Sequence, residues 1–239
     1  MARVVGRFAP TPSGYLHLGN LFCSLLAWLA ARSQGGKIIL RNEDLDTERS
    51  RPEYALQAQR DLETLGLFWD EGGDRAGPHG PYEQSRRFPF YQTQLEKLEA
   101  MGLVYPCFCS RAQLHAASAP HAGTGEPVYP GTCRTLSPEE VARRSQTRSP
   151  ALRLQVPAET FSFVDGHYGL QSQFLPEACG DFILRRSDGV FAYQLAVVAD
   201  DGDMGVTQVV RGNDLLSSTP RQLLLYRLLE YPAPQFFHT

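Results

Sequence analysis

Residues 7–20 read RFAPTPSGYLHLGN, and the fold turns on what this stretch joins. Before it, residues 3–8 (RVVGRF) have the apolar content of a short buried strand. After it, Leu21, Phe22, Leu25, Leu26, Leu29 and Ala30 recur at helical spacing until Gly35 and Gly36 end the pattern, and residues 37–41 (KIILR) read as a second strand. The unit is therefore strand, helix, strand. Its linking turn lies where the free N–H groups of a helix start and the helix dipole favour phosphate. Pro10 and Pro12 stiffen the turn, Gly14 and Gly19 let a ligand approach the backbone, and His17 is placed to donate to a phosphate oxygen as charge develops there. Read alone, such a turn also fits a plain connector.

Outward from this unit, Ser50 with Glu53 predicts a capping box opening a second helix that ends near Gly66, and a third helix runs from Phe88 to Met101 and stops at Gly102. Residues 106 to about 180 change character, with a Pro/Gly/Ala/His-rich stretch from Ala116 to Pro130 and a short helix opened by Ser137. From Asp181 three strand-like runs follow, at 181–185, 190–198 and 207–211, before Thr219 and Pro220 start a Leu-rich helix. The expected division is a first half of a nucleotide-binding domain at 1–105, an insertion at 106–180, and the second half at 181–239.

The 239 residues, 42% of them hydrophobic, suit one large α/β domain carrying an insertion. No run approaches the roughly 20 apolar residues of a membrane span, so no membrane partner is expected, and the five cysteines are too few for a secreted disulfide framework. A monomer in a reducing cytoplasm is the expectation. A formal charge of -3 excludes a general coat of positive potential for nucleic acid, so RNA contact would be local. The basic residues are nearly all arginine, Lys37 and Lys97 being the only lysines.

Cys107 and Cys109, one residue apart, would strain a mutual disulfide but let two thiolates converge on a tetrahedral ion, with Cys133 a third ligand. For a fourth, spacing leaves His115 or His121 open, and buried reduced thiols are the alternative to any metal. Cys23 and Cys179 read as plain thiols.

Residues 7–20 resemble the HIGH signature of class I aminoacyl-tRNA synthetases, with His17-Leu18-Gly19-Asn20 in the motif position and an RFAP prefix typical of the glutamate and glutamine branch; the fourth position is Asn instead of His. Residues 41–46 (RNEDLD), 67–72 (LFWDEG), 84–88 (QSRRF), 191–201 (FAYQLAVVADD) and 209–215 (VVRGNDL) are also similar to that branch, in order, from Arg7 to about Tyr231. The best match is to the glutamyl-queuosine tRNA(Asp) synthetases, short relatives of glutamyl-tRNA synthetase. The resemblance implies an α/β fold with the Rossmann-like parallel sheet of class I synthetases and a zinc-containing insertion.

The same resemblance implies that L-glutamate is activated with ATP, accompanied by Mg2+, without tRNA, and is then passed to the queuosine base in the anticodon of tRNA(Asp). It makes His17 and Asn20 the catalytic pair. Pro10, His17, Gly19 and Asn20 would bind ATP, and Arg7, Phe8, Ala9, Pro10, Thr11, Glu43, Tyr193 and Arg211 would bind glutamate. The chemistry agrees, since glutamate offers an ammonium for Glu43 and two carboxylates for arginines; Glu43 also reads as an acidic loop residue, and Tyr193 as an ordinary strand tyrosine. Structural zinc would be held by Cys107, Cys109, Tyr129 and Cys133. Val197 stands where long relatives carry Asn, which predicts altered glutamate binding. The family's KMSKS-type loop should follow residues 234–238, and the chain ends at Thr239, which reads as a partial chain. Two rivals stand beside this expectation: a fragment of a glutamyl-tRNA synthetase, and a non-catalytic zinc module binding RNA through Arg143, Arg144, Arg148 and Arg153.

Overall fold

The computed structural model describes residues 3–110, 113 and 128–239. His115, His121 and residues 116–127 of the Pro/Gly-rich stretch lie outside the described residues.

Strand β1 (Val5–Phe8), helix α1 (Leu18–Arg32) and strand β2 (Lys37–Leu40) form the expected strand-helix-strand unit, and β1 pairs in parallel with β2 from Val5 against Lys37 to Phe8 against Leu40. Helix α2 (Pro52–Thr64) leads to the two-residue strand β3 (Glu71–Gly72), parallel to β2. Much later, β9 (Gln208–Arg211) and β10 (Gln235–His238) pair in parallel. Thr207 donates its N–H to Val5 O at 2.9 Å and Arg7 reaches Val210 O, so β9 lies beside β1 and points the same way. Parallel strands carry their ligands at their carboxyl ends, and here those ends hold Arg7, Phe8, Arg41 and Arg211.

Helix α3 (Phe88–Ala100) ends before Gly102, whose φ is +71°. It feeds β4 (Val104–Cys107), which pairs antiparallel with β5 (Ala151–Leu154); β5 pairs in turn with β8 (Phe182–Arg185). Between them lie α4 (Pro138–Ser145), capped by the Ser137 side chain, the hairpin β6 (Thr160–Asp165) and β7 (Gly169–Phe174), and α5 (Leu175–Ala178). Helices α6 (Tyr193–Asp203) and α7 (Thr219–Leu228) complete the described elements named here.

Three local expectations differ from the fold. The strand expected over 190–198, and with it Tyr193 as a strand residue, is helix α6 from Tyr193 onward. Leu195 through Asp201 are all buried, and a helix enclosed on every side carries no polar face to reveal its period. The capping box at Ser50 does not form: Arg51 takes the cap position without a side-chain bond, and Pro52 at the first helical position supplies a preset φ instead. On α1 the side facing the sheet is Ala27 and Ala31, whereas Phe22 and Leu29 are 51% and 48% exposed. Small residues let this helix settle close to β1, where Gly6 faces Ala31.

Candidate active site and metal centre

One cavity of about 510 Å³ opens at the carboxyl ends of β1 and β9. Its wall includes Arg7, Phe8, Ala9, Pro10 and Thr11 from β1 and the turn, His17 and Asn20 from the start of α1, Glu43 after β2, Tyr193 at the start of α6, and Arg211 ending β9. The phosphate turn and the charged cradle thus share one space. Gly19 is outside the cavity wall: its Cα faces the His17 ring, which an added Cβ would meet at 3.0 Å. Val197 is also absent from the wall, being buried in the main core.

His17 caps α1 through its ring. Nδ1 accepts the Gly19 N–H at 3.1 Å, while Asn20 Oδ1 accepts the His17 N–H at 3.1 Å. A neutral imidazole that accepts at Nδ1 carries its proton on Nε2, so the cap leaves a donor directed away from the helix. Asn20 uses its carbonyl oxygen to fix the residue before the helix, which leaves its amide NH2 uncommitted among the described residues.

Three buried arginines have different partners, Arg7 and Arg211 in the cavity wall and Arg41 beyond it. Arg41 is fully enclosed and meets Asp201 at 2.7 Å, Glu43 at 3.0 Å and Asp200 at 3.5 Å. Burial works against its charge, but these carboxylates outweigh it and raise its pKa. Arg7 lies 3.6 Å from Asp201 and donates to Val210 O at 3.4 Å. Arg211, 5% exposed, has no carboxylate within ion-pair distance among the described residues. It donates instead to His238 Nε2 (2.9 Å), Gln222 Oε1 (2.8 Å), Thr219 Oγ1 (2.8 Å) and Leu215 O (3.5 Å). Burial, with Arg7 adding repulsion, presses its pKa down. A guanidinium has five N–H donors, so these four bonds leave one N–H on Nη1. Tyr193 has its hydroxyl pKa raised by burial and then by Glu43.

On Asp201 burial raises the pKa, yet Arg41 and then Arg7 outweigh it and hold the carboxyl low. Asp200 is pushed up by burial despite Arg41 and Arg87, and accepts hydrogen bonds from Gln84 and Tyr91. The sequence reading missed Arg41, Asp200, Asp201, Gln222 and His238 as parts of the site. The two acids closing an otherwise apolar run at 195–199 were the available signal.

At the other end of the insertion, the sulfurs of Cys107, Cys109 and Cys133 all lie within 4.8 Å of one another, Cys109 and Cys133 at 3.6 Å. A tetrahedral ion with bonds of about 2.3 Å to sulfur separates its ligands by about 3.8 Å. The Tyr129 hydroxyl stands 3.4 Å from Cys107 Sγ and 3.8 Å from Cys109 Sγ, and accepts the Cys133 N–H at 2.8 Å. Burial, then the neighbouring thiols, push Cys109 up to about 11, while Cys107 is lowered because the Tyr129 hydroxyl, the Cys109 backbone N–H and Arg153 outweigh its burial. Three sulfurs and a phenol oxygen at separations close to those around a tetrahedral ion make a donor set that fits a metal. In the insertion, Arg143 and Arg144 pair with Glu140, Arg148 donates to Phe108 O, and buried Arg153 lies over the Tyr129 ring.

Residues 3–239 match the family described as tRNA synthetases class I (E and Q), catalytic domain. The Glutamyl-Q tRNA(Asp) synthetase of Symbiobacterium thermophilum is 60% identical over 236 residues, covering 98% of this chain and 73% of that protein. The protein of the same name from Nitratidesulfovibrio vulgaris is 57% identical over 236 residues, with 98% and 72% covered. A crystal structure of a glutamate tRNA ligase from Elizabethkingia meningosepticum in complex with its amino acid aligns with a TM-score of 0.87 at 32% identity, over 99% of this chain and 49% of that one. The chain therefore spans nearly three quarters of the first two relatives and about half of the third. No helix among the described residues is long and apolar enough to cross a membrane.

Proposed function

The chain belongs to the class I tRNA synthetase family of glutamate and glutamine, and from that premise we propose that it activates glutamate with ATP without tRNA and passes it to the queuosine base of tRNA(Asp). The observation that carries the substrate is Arg211, a buried cation whose hydrogen-bond partners among the described residues are all neutral. A buried charge without a counter-charge is unfavourable, and a substrate carboxylate supplies the missing partner. Arg7, sharing Asp201 with Arg41, is the second cation in the wall, and glutamate brings a second carboxylate to it. Glu43 faces the same space with Oε1 held by Arg41, which leaves Oε2 without a protein partner among the described residues and suited to the substrate ammonium. Tyr193 closes the side between Glu43 and Arg211.

ATP would lie along the turn at residues 10–20, with its phosphates toward the N-terminus of α1 and the His17 Nε2 proton. A glutamate α-carboxylate oxygen attacks the α-phosphorus, the bond to the pyrophosphate oxygen breaks, and pyrophosphate leaves as glutamyl-adenylate forms. Transfer to queuosine then breaks the acyl-phosphate bond and releases AMP. The protein's part is positioning and charge stabilisation; Mg2+ accompanying ATP would neutralise phosphate charge. Zinc is the metal best suited to three thiolates with a fourth oxygen ligand, so Cys107, Cys109, Cys133 and Tyr129 would hold it. A site closed by four protein ligands is structural.

The deciding experiment is glutamate-dependent exchange of pyrophosphate into ATP with no RNA present, followed by transfer of labelled glutamate to tRNA(Asp) lacking its 3′-terminal adenosine. Exchange and transfer to queuosine-containing tRNA, and not to tRNA carrying guanosine there, are expected. Exchange that requires tRNA, or transfer that requires an intact 3′ end, would turn the assignment to glutamate tRNA ligase activity. Glu43→Ala and Arg211→Ala should each lower exchange by about a hundredfold or more, the scale of a buried charge losing its partner.

A further inference from the structure

Arg211 is held by a chain of side chains that begins on the β6–β7 hairpin. A guanidinium only donates, so the nitrogen that meets Arg211 Nε at 2.9 Å, His238 Nε2, presents a lone pair. The imidazole proton then sits on Nδ1, which faces Asp165 Oδ2 at 2.6 Å. Asp165 is itself fixed, because Oδ1 accepts the backbone N–H groups of His167 at 3.0 Å and Tyr168 at 2.9 Å. The hairpin is seated next to β10 by its neighbour Gly166: the Gly166 N–H donates to Phe236 O at 2.9 Å, and a Cβ there would overlap the Phe237 ring. Asp165, His238 and Arg211 are all buried.

We infer that Asp165 and His238 are positioning residues for glutamate: Asp165 sets the tautomer of His238, and His238 aims the Arg211 fork at the cavity. The hairpin contributes no residue to the cavity wall, yet through this chain it acts on the substrate. The inference rests on the reading of Arg211 as a carboxylate ligand. Two substitutions isolate the tautomer from bulk and burial. In Asp165→Asn, the backbone N–H groups of His167 and Tyr168 keep the amide oxygen at the Oδ1 position, so the NH2 group faces His238 Nδ1. The imidazole proton then moves to Nε2, against the Arg211 N–H. At position 238, glutamine sets an amide oxygen near the place of Nε2, whereas asparagine sets one near Nδ1 and leaves Arg211 Nε unmet.

The test measures glutamate and ATP KM and kcat in pyrophosphate exchange, glutamate binding by calorimetry, and imidazole tautomers by 15N NMR. Asp165→Asn and His238→Asn should raise glutamate KM and Kd by about tenfold or more, the scale of one charge-assisted hydrogen bond, with ATP KM within about twofold. His238→Gln should restore most of the affinity, and wild-type His238 should give the signature of an unprotonated Nε2. If Asp165→Asn does not fold, the pair of His238 variants still decides. Wild-type glutamate affinity in His238→Asn, with affinity lost in Arg211→Ala, would overturn the relay and leave the proposed function standing. Equal losses in His238→Asn and His238→Gln would make the role merely structural and also overturn it. Unchanged affinity in Arg211→Ala would remove the functional reading itself.

Discussion

Arg7 lies one residue before the end of β1, Arg41 directly follows β2 and Arg211 ends β9, and the carboxylates around each decide its use. Arg41 is surrounded by Asp200, Asp201 and Glu43, so it is a fixed structural cation; Arg211 has no carboxylate at ion-pair distance among the described residues and stays available. His238 shows how finely this depends on protonation. Burial first, then Arg211 and Arg7, lower its pKa from 6.5, against the pull of Asp165. The sign follows directly: between 6.5 and the lower folded value the unfolded chain binds a proton that the folded chain does not. Its contribution to stability is therefore full above pH 6.5 and is lost as pH falls toward and through the folded value. Glutamate affinity should hold through that window and fall only as pH drops through the lower folded value, because imidazolium has no lone pair for Arg211. From pH 7.5 to 5.5 the urea midpoint should fall in wild type and glutamate Kd should rise as pH reaches the folded value, both profiles being flatter in His238→Gln; parallel profiles would assign the titration elsewhere. His17 was legible from its place before a helix, whereas His238 was not, since nothing local at residues 234–238 indicates Asp165 or Arg211 as neighbours.

Helix α6 delivers Tyr193 at its start and Asp200 and Asp201 at its end, so one element serves both the cavity wall and the charges beneath it. Its sequence read as strand because burial on all sides erases the helical period that α3 keeps. Helix α1 was legible, although its sheet-facing side was not: the large apolar residues suggested the core, and Ala27 and Ala31 occupy it. In the insertion, β4 delivers Cys107 and the following residues deliver Cys109, while Tyr129 and Cys133 come from a separate segment, so a metal would tie two stretches of chain together. Purified protein should carry about one zinc per chain by mass spectrometry, as a single four-ligand site requires. Chelation or Cys133→Ser should remove it and lower the melting temperature by several degrees. Metal-free protein with the wild-type melting temperature would exclude a structural metal.

At the scale of the whole molecule, Arg41 joins the first half of the chain to the second, since its partners Asp200 and Asp201 lie on α6 and Arg87 reaches Asp200 at 2.8 Å from the approach to α3. Removing one member of such a buried network leaves charges without partners. Arg41→Ala should cost about 3–5 kcal/mol of unfolding free energy, measured in urea, and a loss under about 1 kcal/mol would mean that the network is relaxed by solvent. The sequence by itself determined the strand-helix-strand unit, the turn that precedes its helix, the thiol cluster as a candidate metal site and the family, because each is written in neighbouring residues whose spacing and chemistry are local. Tertiary structure alone decided that Arg7 and Arg211, brought together by β1 lying against β9, share a cavity, and which of the buried arginines is left with a free charge. Those outcomes depend on electrostatic partners more than a hundred residues away in the chain, such as Arg41 with Asp201, and a one-dimensional pattern carries no record of which distant charges fold into contact.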